Sequence, residues 1–395
     1  MLYHPLKSLV AALAFGVATT SAASSQAIKS RRLTEYLMPV TQQTHEPARV
    51  PNTNFVLLTQ MSSSELVKIE LDAATEDPIA YQSFPMGKNS SSMLHGAWPS
   101  VKNPGLMWLS LQGENKLLLV DPGKELSTPP QIKHTIDIPK PGNGPHCVFE
   151  IGDRVWAGLK DASPQNGQYY AFSVDLHNSS DWKLYQSLSS PVFIREEPTT
   201  GLIYVTQDWS SSIMRIDLAT DEITQLPIPP SVGNTAVGMA SVTGALSGVW
   251  FTLAGNATGG TGTFGHIGAD GQIKFFSLRQ KVLGGNAALL HVADASTKDE
   301  PALWILSTSL LSTESPDALI HVTFDQSGST IKGEEYISLQ TQNAKAHRVL
   351  VLDSSVLVSE LNTFTLAQLK YENTVAGQWL PSKVVSDNKV YDEAG

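Results

Sequence analysis

Gly201-Leu-Ile-Tyr-Val-Thr-Gln207, Ser212-Ile-Met-Arg-Ile-Asp217 and Glu222-Ile-Thr-Gln-Leu-Pro227 are three consecutive runs of alternating pattern, separated by turn residues. Period-two alternation broken by polar turns reads as short antiparallel strands. The phrase returns as Gly248-Val-Trp-Phe-Thr252, Gly265-His-Ile-Gly268 and Gln272-Ile-Lys-Phe-Phe-Ser-Leu278, with Asp270-Gly271 at the last turn. Asp-Gly suits the positive φ angles of a tight hairpin. Working outward, the anchor of the second strand recurs seven times, at Leu57, Trp108, Trp156, Tyr204, Trp250, Trp304 and Leu357, with spacings of 51, 48, 48, 46, 54 and 53 residues. A unit of this size cannot bury both faces of its sheet alone. Four-stranded units solve that by stacking radially, which predicts an all-β, single seven-bladed β-propeller of four-stranded antiparallel blades. Six blades, with the loosely patterned first unit as an extension, is the alternative.

The predicted organisation is a secretory signal over residues 1–23, an N-terminal extension over 24–47, the propeller over 48–385 and a tail over 386–395. Lys7 precedes an apolar run from Leu9 to Ala18 and the small residues Thr20 to Ala23. That run is too short to span a bilayer and its end suits signal peptidase. Sequons at Asn89, Asn178 and Asn256 fit glycosylation on the same route, to the medium or an endomembrane lumen. No other segment approaches membrane-spanning length. A net charge of −10 argues against a nucleic-acid partner, which usually meets a basic face.

Cys147 is the only cysteine, so no internal disulfide can form. Adjacent strand residues face opposite sides, so His146 and Cys147 read as one tunnel-facing and one buried residue. Propellers place their chemistry on the central axis. Leu94-His95-Gly-Ala-Trp-Pro-Ser100 and Leu290-His291-Val-Ala-Asp-Ala-Ser296 correspond, each His lying 13 residues before its Trp. His95, His146, His291 and His347 occupy similar places in four blades. His266 and His321 sit in outer-strand patterns and read as structural. No phosphate-binding glycine loop, cysteine metal site, Gly-x-Ser-x-Gly elbow or His-Glu-x-x-His is present.

Gly144-Pro-His-Cys-Val-Phe-Glu-Ile-Gly-Asp-Arg-Val-Trp156, and the blade from Val237-Gly-Met239 to Leu278, resemble the repeat of the streptogramin B lyases. That resemblance implies seven blades, opening of a cyclic peptide lactone by elimination, and magnesium. It also implies working residues of three kinds: His from Pro-His phrases, a Glu two residues before one such His, and a Glu at the following strand end. In the last blade His347 and Glu360 fit, and a hairpin between them would pair them across its strands. Lys345 stands in place of the preceding Glu, and Ala287 and Ala288 stand where a His is expected. Glu360, with Asp208 beside Gln207, leaves too few of the hard oxygen ligands that Mg²⁺ takes, and no metal or other cofactor is expected.

Size, signal and lost metal ligands also make the chain similar to fungal secretory propellers of natural-product clusters, including hetero-Diels–Alderases that join a quinone methide to a sesquiterpene. The reading is a metal-independent cyclase, pericyclase or dehydratase acting on a hydrophobic terpenoid or polyketide. His347 and Glu360 are the candidate acid/base pair; His95, His146, His291 and Gln207 are candidate oxygen-binding groups; Trp98, Trp209 and Met239 form the expected apolar wall. A metal-dependent lyase opening a cyclic ester, and a propeller that binds a ligand without turnover, stay open as alternatives.

Overall fold

A computed structural model describes residues 29–40, 43–279, 286–375 and 378–381. The predicted signal segment and the 386–395 tail lie outside the described residues. Seven antiparallel sheets close into a ring, each from four consecutive strands except the last. Blade 1 is Thr44–Arg49, Phe55–Gln60, Glu65–Leu71 and Pro78–Pro85. Blades 2 to 6 begin with inner strands Leu94–Pro99, Pro145–Ile151, Pro191–Glu196, Ala236–Val242 and Leu289–Asp294. Blade 7 runs Ala346–Val351, Ser355–Glu360 and Thr365–Val375, and its fourth strand is Lys29–Leu37. Seven blades, not six, is the count, and among the described residues the helical content is three short 3₁₀ turns. No helix there is long and apolar enough to cross a membrane.

The predicted propeller boundary at residue 48 is corrected at two places. Lys29–Leu37 pairs with blade 7 from Lys29 opposite Asn373 to Leu37 opposite Thr365, so the supposed extension is the closing strand. Thr44–Arg49, placed mostly outside the propeller by the sequence, is the inner strand of blade 1. Pro47 and the absence of an aromatic hide it in the pattern, and an inner strand can carry proline because one edge faces the axis.

The anchors behave as the repeat requires. Trp108, Trp156, Trp250 and Trp304 are buried between blades, where truncating such a residue costs about 3–5 kcal/mol. Trp250 and Trp304 stand opposite His266 and His321 in the third strand. Each His ring lies against its Trp, at 4.4 and 4.5 Å between centroids, and both are structural.

One device repeats around the axis. In every blade the inner strand slips register within its first four residues, as between Thr44 and Pro47 or Leu94 and Ala97. A bulge leaves a backbone N–H unpaired, and a hydroxyl from the second strand takes it up. Thr59 accepts from Glu46 N, Ser110 from Gly96 N, Thr206 from Phe193 N and Thr252 from Gly238 N. Three of these hydroxyls also donate to the next blade: Thr59 to His95 O, Ser110 to His146 O and Thr206 to Val237 O. Ser359 donates to His45 O across the closure. Glycine at two bulges permits the close approach. A Cβ on Gly238 would sit 2.3 Å from Leu290 O, and one on Gly96 would sit 2.7 Å from His146 O.

Candidate functional site

The bulges decide what reaches the axis. The second residue of each inner strand is His45, His95, His146, Val192, Val237, Leu290 and His347 in blade order. Three of these imidazoles were expected at the axis; His45 was not, because its strand was assigned to the extension. The repeated hydroxyl, 13 or 14 residues beyond each bulge it serves, is the sequence signal that finds it.

The four rings form one buried layer. Centroids are 4.0 Å apart for His45 and His95, 3.7 Å for His95 and His146, and 4.2 Å for His45 and His347. His45 Nε2 lies 2.7 Å from His95 Nε2, and His95 Nδ1 lies 2.6 Å from Gln112 Oε1. Gln112 Nε2 donates to Asp161, so its oxygen is the acceptor. That assigns the His95 proton to Nδ1 and makes His45 Nε2–H the donor between the rings. His347 has no hydrogen-bond partner on either nitrogen, and His45 Nδ1 has none. Burial holds all four imidazoles well below their ordinary pKa, with neighbouring cationic groups acting the same way.

Beyond this layer, towards the ends of the inner strands, the axis widens into a funnel of about 310 Å³. Glu46, Trp98, Arg195, Met239 and His291 line it. Arg348 Nε donates to Glu46 at 2.8 Å, an ion pair buried on the arginine side. Burial raises the Glu46 pKa, with Arg348 pulling the other way. Arg195 lies over Phe149 at 3.7 Å and over Trp98 at 4.7 Å. Burial brings its pKa down to about 10. Among the described residues no carboxylate forms a salt bridge with it, and its Nη1 donates only to Ile194 O. His291 Nδ1 accepts from Val349 N at 3.3 Å, which leaves the proton on Nε2.

The other expected residues lie elsewhere. Glu360 pairs across the strands with Ala346, because His347 falls in the bulge. Its carboxyl accepts from Thr365 Oγ1 at 2.5 Å, its other oxygen has no partner, and no hydrogen bond joins it to His347. Burial pushes it up to about 8, so it is a neutral acid near pH 7. Gln207 is tied to Ser212, Gln225 and Leu188 N within the blades. Trp209 is 65% exposed, with φ +61°, on the loop after the second strand of blade 4. That loop is at the opposite mouth from Trp98. Cys147 is buried as expected and lies 2.8 Å from His146 Nδ1; burial raises its thiol to about 12, which suits an inert structural residue. Asn89, Asn178 and Asn256 are all exposed.

The donor set does not fit the magnesium implied by the lyase resemblance. Glu360 is turned to Thr365, Glu46 is held by Arg348, and imidazole is a poor match for an ion that wants oxygen ligands.

No family model matches the chain, and no curated protein sequence does. Similar solved structures include virginiamycin B lyase from Staphylococcus aureus, at 17% identity and a TM-score of 0.64 over 86% of this chain and 99% of that one. A further streptogramin B lyase structure matches at 17% identity and 0.63, covering 86% and 98%. YCF48 from Cyanidioschyzon merolae matches at 12% identity and 0.56, covering 86% and 98%. At these identities the likeness establishes the propeller fold, which lyases share with propellers such as YCF48.

Proposed function

We propose that the chain is a small-molecule enzyme of the cyclase or lyase type, and that its reaction takes place in the axial funnel. The observation that carries this is Arg195: a half-buried guanidinium, stacked on aromatic faces, with no carboxylate salt bridge among the described residues, on the wall of a cavity of about 310 Å³. Small-molecule sites have this size and character, mostly apolar with a few convergent polar groups. A preorganised cation in a low-dielectric site stabilises charge developing on a carbonyl oxygen, and needs no reorganisation when it does so. His291 supplies a neutral N–H and Glu46 a carboxyl of raised pKa.

The substrate class that suits this wall is a largely apolar terpenoid or polyketide with one polarisable oxygen. Cycloaddition of a quinone methide with a terpene is the case implied by the fungal resemblance. It redistributes electrons within the two partners and asks the protein only for orientation and a hydrogen bond to the carbonyl. The reading needs no divalent cation: of the funnel's two carboxylates, Glu46 is paired with Arg348 and Asp294 accepts from Ser296 N at the exposed rim. Three exposed sequons support a secretory route.

The test is turnover of apolar enone and quinone-methide substrates by wild type and by Arg195→Met. Loss of one such donor lowers kcat about 10²–10³-fold. Tight binding by wild type without product would identify a ligand-binding propeller; unchanged turnover in a folded Arg195→Met would remove the funnel as the site.

A further inference from the structure

We propose that His45, His95 and His146, with His347 as fourth ligand, form a binding site for a divalent transition ion of the zinc class in the axial channel. This goes beyond the funnel and does not depend on its chemistry. The ligand nitrogens available from the first three residues all lie within 4.8 Å of one another, and all three side chains are buried. A buried polar group without a partner is costly, and three nitrogens of this cluster have none: both of His347 and Nδ1 of His45. Imidazole is a ligand for Zn²⁺, Cu²⁺, Ni²⁺ and Co²⁺ and a poor one for Mg²⁺ or Ca²⁺, so the chemical class follows from the donors.

The ring spacing is slightly tighter than such a site requires. Two nitrogens on one tetrahedral zinc, each at about 2.0–2.1 Å, are about 3.3 Å apart. His45 Nε2 and His95 Nε2 are 2.7 Å apart, joined by a hydrogen bond. An opening of about 0.6 Å between two rings is a side-chain adjustment. Binding also asks His45 to move its proton from Nε2 to Nδ1. Glu46 Oε2 stands 3.8 Å from that Nδ1, an acceptor ready to orient the ring.

Outer-shell support is already built for the other two rings. The His95 Nδ1 proton is held by Gln112, itself held by Asp161, so Nε2 keeps its lone pair for the ion. The His146 Nδ1 is against Cys147 Sγ, which leaves Nε2 as its ligand atom. Metal-ligating histidines almost always have such a partner on the second nitrogen. Two cations stand nearby, and each is paired: Arg348 with Glu46 and Lys160 with Asp208 at 3.6 Å.

The experiment is a Co²⁺ titration of the full chain after chelator treatment and dialysis, followed by visible absorption. One equivalent per chain with the intense bands of a four-coordinate ion is the expected result. His95→Gln and His146→Gln should abolish the bands, Gln112→Leu should weaken binding about 10–100-fold, and His134→Gln, on an exposed outer strand, should leave it unchanged. Absence of the bands in wild type, or their persistence in a folded His95→Gln/His146→Gln variant, overturns the site. Should the double variant not fold, X-ray absorption of the wild-type complex decides: three or four imidazole nitrogens support the site, and fewer than three refute it.

Discussion

Two rings of equivalent positions behave in opposite ways in this propeller. The first is the bulge ring, where His45, His95, His146 and His347 meet on the axis beside the apolar Val192, Val237 and Leu290. The second is the end of the second strand, where Gln60, Leu111, Leu159, Gln207, Leu253, Ser307 and Glu360 are all buried. Glu360 and Gln207 there bond to the outer strands of their own blades. Both rings lie near one end of every blade, yet only the first converges. Strand alternation sends a regular position into the contact between blades, whereas a bulge frees its residue from the ladder and aims it inward. The difference separates His347, which belongs to the axis, from Glu360, which belongs to the blade.

The largest expected effect comes from that separation. Glu360 has an ordinary carboxyl pKa when unfolded and one of about 8 when folded. Between those values the unfolded chain has lost the proton and the folded chain keeps it, so stability is fully present below the unfolded pKa and falls as pH rises towards 8. The loss is up to about 4–5 kcal/mol. Glu360→Gln should abolish this decline and raise Tm above wild type at pH 8, with turnover retained. A flat wild-type Tm between pH 5 and 8 would show that the second ring is not dry. Arg195→Met is the counterpart on the axis: kcat falls about 10²–10³-fold with little change in Tm, measured by steady-state kinetics beside thermal denaturation.

A smaller effect tests whether the scaffold is common to both halves of the first ring. Thr59 serves the bulge of His45 and donates to His95 O, and Thr206 serves the bulge of Val192 and donates to Val237 O. Each hydroxyl satisfies one buried N–H and one buried C=O. Thr59→Val and Thr206→Val should therefore each lose about 1–3 kcal/mol in denaturant unfolding. Near-equal losses place the difference between the halves in side chains alone; a much larger loss at Thr59 would mean that the imidazole layer depends on its hydroxyl.

The blade repeat was legible because Trp108, Trp156, Trp250 and Trp304 must be buried at one place in each unit. Three of the four axial imidazoles were legible for the same reason, by blade correspondence. The His347–Glu360 pairing was not, because a one-residue bulge shifts partners from His347 to Ala346 without leaving a hydrophobic signature. Arg195 and Glu46 escaped notice because their roles depend on rings from three blades, Trp98, Phe149 and Phe193, and on Arg348 from the last. Such contacts are set by closure of the ring, and no local pattern encodes them.

The smallest expected effect distinguishes the two mouths of the channel. Trp98 and Trp209 were expected to share one wall, but Trp98 borders the funnel and Trp209 stands exposed at the other end. Trp98 is edge-on to Phe149 at 5.1 Å and under the Arg195 guanidinium. Removing it takes away a cation–π contact worth about 0.5–2 kcal/mol, which should loosen Arg195 and open the wall. Trp98→Ala should thus reduce kcat/KM and change the product ratio wherever the funnel controls the face of ring closure. Trp209→Ala changes an exposed loop residue, for which stability shifts stay within about 0.5 kcal/mol, and should leave both rate and product ratio alone. Chiral chromatography of products from the two variants is the measurement. An altered ratio with Trp209→Ala and none with Trp98→Ala would move the reaction to the mouth beside Lys160 and Asp208, and Arg195 would then be a structural cation.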